Sequence, residues 1–209
     1  YMKHTLENTP NLYIKQAEVT AVDVENGRVT AVRTKLGAIH PVKAAIITTG
    51  TYLNGKIHIG ELNYSSGPDN LLPSSWLTGC LKNPGVSMRR FKTGTPARVH
   101  KRSIDFSVME KQSGDEQIMP FAFDNEQELH NIVDCYVSYT NAETHKVILE
   151  NLHRSPLYSG RIEGIGPRYC PSIEDKIVRF KDKERHQLFV EPMGLDTDEY
   201  YLQGMSSSL

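Results

Sequence analysis

Two β-branched runs, Val19 to Glu25 and Arg28 to Lys35, stand on either side of Asn26-Gly27. Asn and Gly both tolerate positive φ, so the pair favours a two-residue hairpin turn whose twist matches that of its strands. A further strand follows Gly37, which extends the hairpin into a meander. Leu12 to Ala17 reads as another extended run ahead of it. Ala44-Ala45-Ile46-Ile47 is apolar without alternation, the pattern of a strand covered on both faces, and it ends in Thr48-Thr49-Gly50. The meander is therefore expected to feed one central strand. Met2 to Asn8, broken by Thr9-Pro10-Asn11, reads as the last turns of a helix.

Residues 63–85 are rich in Ser, Gly, Asn and Pro and predict a loop with a short helix, anchored by Leu71, Leu72, Trp76 and Leu77. Cys135 to Tyr139 predicts a strand by its aromatic and β-branched content. Asn141 to Leu152 predicts a helix with Val147, Ile148 and Leu152 as a partial apolar stripe, stopped at Ser155-Pro156. The fold class expected is mixed α/β with α+β character. A chain of 209 residues buries a core without covalent staples. Its 38% hydrophobic and 23% charged residues fit a soluble globular protein. No run approaches the roughly 20 apolar residues of a membrane span. Cys80, Cys135 and Cys170 lack short regular spacing, which argues against a disulfide framework or a CxxC zinc site and for a reducing, cytoplasmic setting. The scattered His58, His100, His145 and His186 predict no metal site. A chain that opens on Tyr1 and stops after Ser206-Ser207-Ser208-Leu209 reads as an excised piece.

Lys+Arg number 24 against 25 Asp+Glu, so global charge makes no case for nucleic-acid binding. Locally the balance breaks. Lys82, Arg89, Arg90, Lys92, Arg98, Lys101 and Arg102 fall in one stretch without a carboxylate, followed by an acid-rich stretch from Glu110 to Asp134. The basic run is a candidate for RNA phosphates, with Phe91 as a stacking group; the alternatives are a solvated face or cations paired with the following acids. This change of composition puts the expected domain border near residues 95 to 105, with the domains drawn as 1–95 and 96–209.

The chemistry concentrates from Gly160 to Phe180. Glycines at 160, 164 and 166 precede Cys170-Pro171-Ser172, and Asp175 stands three residues after Ser172, as in a capping box. A helix beginning near Pro171 or Ser172 turns free N–H groups and a positive dipole end toward Gly164 to Tyr169. With Arg168 and Lys176 nearby, that favours an anion and lowers the pKa of Cys170. A lone cysteine at a helix start also occurs as an inert buried residue, and Glu174 and Asp175 serve as well in capping and solvation as in proton transfer.

Gly166-Pro167-Arg168-Tyr169-Cys170-Pro171-Ser172-Ile173-Glu174-Asp175-Lys176 resembles the signature of the MnmG (GidA) family of tRNA-modifying flavoproteins. Gly50 to Gly60, Lys92 to Arg98 and Tyr200 to Leu209 resemble further family segments in the same order, so the resemblance spans the chain. The family's amino-terminal GxGxxG, a second cysteine, a later flavin segment and a carboxy-terminal helical domain have no counterpart in this sequence.

The resemblance implies part of a glutathione-reductase-type FAD/NAD-binding domain with its β meander, joined to an inserted α/β domain. Thr48-Thr49-Gly50 is similar to the motif that closes such a meander beside FAD, and Val19 and Ser74 match flavin-contact positions. NADH is implied at Gly166, Pro167, Arg168, Tyr169, Cys170, Pro171, Ser172, Ile173, Glu174, Asp175, Lys176, Ile177, Val178, Arg179 and Phe180. Cys170 matches a cysteine needed for activity, as nucleophile or as acid/base. The implied activity is addition of a carboxymethylaminomethyl or aminomethyl group to the 5-position of tRNA wobble uridine. It proceeds with the GTPase partner MnmE, in a homodimeric full-length protein away from membranes, and the isolated piece is expected to be inactive. A related folate-dependent tRNA uracil methyltransferase and a passive RNA or protein docking module are the competing readings; the first lacks the Cys170 to Lys176 string.

Overall fold

The structure is a computed structural model and describes residues 1–83, 85–162 and 171–209. They form two compact units, one of residues 1–58 and 63–89, the other of residues 59–62 and 90–209.

In the first unit, β1 (Val19–Glu25), β2 (Arg28–Thr34) and β3 (Ile39–Pro41) make an antiparallel meander in that order. The turn between β1 and β2 has φ of 51° at Asn26 and 74° at Gly27, the paired left-handed geometry that the dipeptide favours. Helix α1 (Met2–Glu7) precedes it, and α2 (Ser75–Lys82) packs on β1. Leu77 and Leu81 of α2 and Ala31 of β2 are buried. Cys80 Sγ accepts the Val22 N–H at 3.3 Å, fixing the helix to the strand. Strands β4 (Lys56–Ile59) and β5 (Leu62–Ser65) form a separate two-stranded sheet.

Three expectations fail here. Residues 12–17 form no strand, and Leu12, Tyr13 and Ile14 are exposed. Residues 44–47 likewise form no strand, and Ile46 is 91% exposed. An apolar run becomes a central strand only where neighbouring strands satisfy its backbone on both edges, and none of the described residues does so. Of the four anchors expected in residues 63–85, only Leu77 is buried; Leu71, Leu72 and Trp76 lie exposed.

The second unit is built on a five-stranded antiparallel sheet in the order β6 (Pro96–His100), β10 (Glu199–Ser206), β9 (Gln187–Pro192), β8 (Cys135–Tyr139), β7 (Glu110–Gln112). Leu188 and Val190 alternate inward on β9 as a period-2 face requires, opposite Ser138 and Tyr136 of β8. Phe106 packs against Tyr136 with ring centroids 4.5 Å apart and the rings tilted by 47°. Helix α3 (Ala142–Asn151) starts where Asn141 Oδ1 accepts the Thr144 N–H at 2.9 Å. It meets α4 (Ile173–Arg179) through Ile148, Ile173 and Ile177, joined by Leu152 and Met205. Each such buried side chain stabilises the fold by roughly 1.5–3 kcal/mol relative to exposure. Val147, expected in the stripe, is exposed. Sheets with few helices make the molecule mixed α/β, as expected from sequence. Among the described residues, no helix is long and apolar enough to cross a membrane.

Candidate functional site

Helix α4 begins as its sequence dictates. Ser172 is extended at φ −69° and ψ 165°, and its Oγ accepts the Asp175 N–H at 3.3 Å, while Asp175 Oδ2 accepts the Ser172 N–H at 3.4 Å. The reciprocal pair satisfies two donors that a helix start otherwise leaves open. Tyr158 donates its hydroxyl to Asp175 Oδ1 at 3.2 Å. Burial first, and then the Asp175 charge, push the Tyr158 phenol up to about 12, so it remains a donor at neutral pH.

The faces of α4 divide sharply. Ser172, Ile173, Glu174 and Ile177 are buried, whereas Pro171, Val178, Arg179 and Phe180 are exposed, with Asp175 and Lys176 between. The NADH stretch expected from sequence therefore cannot present every side chain to a ligand: Ile173 and Ile177 are spent on the core. Glu174 corrects the solvation reading. Its side chain is fully buried, and Oε1 accepts Ser207 Oγ–H at 2.8 Å and Ser208 N–H at 3.0 Å. Lys176 Nζ donates to Gly204 O at 3.3 Å, so α4 is tied to the end of β10 twice. Gly94 lies beneath the same strand end, where an added Cβ would collide with Ser206 Oγ. Gly166, Pro167, Arg168, Tyr169 and Cys170 lie outside the described residues.

The three flavin candidates belong to the first unit. Val19 opens β1 opposite Thr34. Gly50 is exposed at φ 51°, and the Ser74 N–H donates to Tyr52 O at 2.9 Å. Ser74 occupies the N-cap position of α2, yet its side chain makes no capping bond. A bare backbone at Gly50 and a Ser74 hydroxyl not used in capping fit a ligand met by main chain and hydroxyl.

Within the basic run, Lys82, Arg89, Arg90, Arg98, Lys101 and Arg102 are exposed, as is Phe91. Lys92 is not: its side chain is 6% exposed, with Nζ 3.9 Å from Asp175 Oδ2. It is withdrawn from any surface that could meet phosphate. Arg98 pairs with Glu199 at 3.2 Å, and the Lys101 N–H donates to Asp198 O at 2.7 Å. The carboxylate that Arg98 meets comes from the start of β10 rather than from the acid-rich stretch next in sequence, whose Asp134 instead pairs with Lys111 at 2.7 Å. Sheet pairing of β6 with β10 brings Glu199 there.

A cluster not anticipated from sequence joins His145 and His186, whose ring centroids are 5.4 Å apart. Thr140 Oγ1 lies 2.8 Å from His145 Nε2 and accepts the His186 N–H at 2.8 Å. Burial, then the His145, Lys176 and Lys183 charges, lower the His186 pKa from its ordinary value. Burial likewise raises the Cys135 thiol, with Glu191 and Asp134 adding to the effect. No group of three or more His, Cys, Asp or Glu that could hold a metal ion occurs among the described residues.

Comparison with known proteins places this arrangement. The profile of the family described as "Glucose inhibited division protein A" matches residues 1–209. A protein of Caldicellulosiruptor saccharolyticus named "tRNA uridine 5-carboxymethylaminomethyl modification enzyme MnmG" is 59% identical over 209 residues, covering all of this chain and 33% of the relative. A Clostridium botulinum protein of the same name is 58% identical over 208 residues, again across the whole chain and 33% of the relative. The chain thus spans about a third of the length of these curated relatives. The structure of Aquifex aeolicus GidA in its form I crystal superposes with a TM-score of 0.91 at 50% identity, covering 100% of this chain and 36% of that one. The form II crystal gives 0.89 at 46% identity, covering 100% and 34%. The match of the entire chain in sequence and in fold shows that it belongs to the glucose inhibited division protein A family.

Proposed function

We propose that this chain is part of a flavoenzyme that adds a carboxymethylaminomethyl or aminomethyl group to the 5-position of wobble uridine in tRNA. The observation that carries the reading is the family match across residues 1–209, together with the activity in the names of relatives 58–59% identical over the whole chain. In this reading residues 1–95 contribute the β meander of a glutathione-reductase-type FAD domain, and residues 96–209 form the inserted NADH-binding domain. Val19, Gly50 and Ser74 would meet FAD. The exposed residues that flank and end α4, namely Pro171, Val178, Arg179 and Phe180, would meet NADH together with the segment Gly166 to Cys170.

FAD and NADH, when bound, supply the redox chemistry. The chain's own contribution is a nucleophile or acid/base at Cys170, which precedes Ser172 by two residues. A thiolate there can add to the uracil ring and activate the neighbouring carbon toward a one-carbon electrophile, which is covalent catalysis by a nucleophile tuned by its surroundings. The cations that support thiolate formation are Arg168 and Lys176. Lys82, Arg89, Arg90, Arg98, Lys101 and Arg102 would hold tRNA phosphates, whose strength depends on salt. The full-length protein would act in the cytoplasm as a homodimer with the GTPase MnmE.

The test is flavin reduction in the full-length protein. NADH should bleach the flavin absorbance under anaerobic conditions, and Cys170→Ser should keep folding and flavin while abolishing tRNA modification. Retained modification would make Cys170 structural.

A further inference from the structure

Charge and sequence position put Lys92 with the phosphate-binding cations, yet the fold places it elsewhere. Its side chain is 6% exposed, and the Asp175 carboxylate, 17% exposed, stands 3.9 Å from its Nζ. Lys92 Nζ has no hydrogen-bond partner among the described residues. Asp175 is engaged on both oxygens, by Tyr158 on Oδ1 and by Ser172 on Oδ2. Two more buried polar atoms without a hydrogen-bond partner, Glu174 Oε2 and Ser206 Oγ, belong to the neighbouring residue on α4 and to the strand end that covers Gly94, two residues beyond Lys92.

We propose that Lys92 is a positioning residue: its ammonium is the counter-ion of the Asp175 carboxylate and, through the Ser172–Asp175 capping box, fixes the start of the helix that follows Cys170. A buried ammonium is expensive to remove from water and is tolerated where an opposite charge faces it. Nothing in this burial serves an RNA phosphate, which needs a cation that reaches solvent. The inference deepens the NADH reading of α4 and rests on that reading for its effect on turnover, although the Lys92–Asp175 coupling itself does not.

Removing one member of a buried charge pair strands the other, whereas removing both together leaves little uncompensated charge. The experiment therefore compares Lys92→Met, Asp175→Asn, the double variant and Lys92→Arg in the full-length protein. It reads backbone hydrogen exchange at Asp175 and Lys176, KM and kcat for NADH in flavin reduction, and the salt dependence of tRNA affinity. Each single neutral variant should speed exchange at Asp175 by about tenfold. It should also raise KM for NADH more than it lowers kcat. The double variant should recover most of both losses, Lys92→Arg should keep protection near that of the unaltered protein, and the salt slope should stay unchanged throughout. Unaltered exchange in Lys92→Met, additive losses in the double variant, or a salt slope reduced by roughly 0.7–0.9 would overturn the proposal, the last by making Lys92 a phosphate ligand. An unaltered protein that does not accept electrons from NADH would defeat the cofactor reading, and the exchange data would still decide the role of Lys92. If Lys92→Met does not fold, a folded double variant supports the pairing and an unfolded one contradicts it.

Discussion

The Ser208 backbone N–H donates to the buried Glu174 carboxylate at 3.0 Å, fastening the chain that leaves β10 to the first turn of α4. Ser207 adds its hydroxyl to the same oxygen at 2.8 Å. Two adjacent donors thus share one acceptor that lies more than thirty positions away in sequence. The geometry of α4 is set by long-range polar contacts as well as by its isoleucines.

Glu174→Ala should leave two donors without their acceptor and loosen residues 207–208. A local loss of about 2–4 kcal/mol is expected, read as faster exchange of the Ser208 amide. Glu174→Gln keeps an acceptor oxygen and should cost less than half as much. Equal effects of the two variants would show that packing rather than hydrogen bonding holds the junction.

Stability should depend on His186 below neutral pH. Its pKa is lowered from the ordinary 6.5, so the unfolded chain takes up a proton before the folded one does. The contribution of neutral His186 is present above about 6.5 and is lost as pH falls from there through the lower folded value. Thermal unfolding followed across this window should show His186→Gln flattening the acid limb. An unchanged limb would assign the loss to other groups.

The three thiols should separate in alkylation at neutral pH. Burial raises the Cys135 pKa and keeps it a thiol, and Cys80 is engaged with the Val22 backbone. Cys170 should react first if Arg168 and Lys176 act on it as proposed. Peptide mapping ranks them, and Cys135 or Cys80 leading while Cys170 is accessible would contradict the thiolate reading.

Local chemistry was legible in the sequence where neighbours decide the conformation. Asn26-Gly27 gives its hairpin, Asn141 its helix start, and Ser172 with Asp175 its capping box, because each depends on residues within four positions. The apolar run 44–47 misled because a central strand is made by its neighbours, and no described residue pairs with it. Lys92 misled for a related reason. Its charge matches Arg89 and Arg90 in sequence, but its partner Asp175 is brought close only by the fold of the second unit. Glu174 carries no local sign that Ser207 and Ser208 will need it.

Replacing Arg89, Arg90 and Lys101 with Ala in the full-length protein should weaken tRNA binding. If each of these cations holds one phosphate, the log–log salt slope should fall by about 2–3, while flavin and NADH binding persist. An unchanged slope would place the RNA surface elsewhere.

The most direct measurement is the wobble-uridine content of tRNA, by nucleoside mass spectrometry, after incubation of the full-length protein with FAD, NADH, a one-carbon donor, an amine source and the GTPase proposed to act with it. Unmodified wobble uridine should be converted to its 5-aminomethyl-type derivative by the unaltered protein and not by Cys170→Ser. Full conversion by Cys170→Ser, or no conversion by an unaltered protein that holds flavin and is reduced by NADH, would contradict the proposed function.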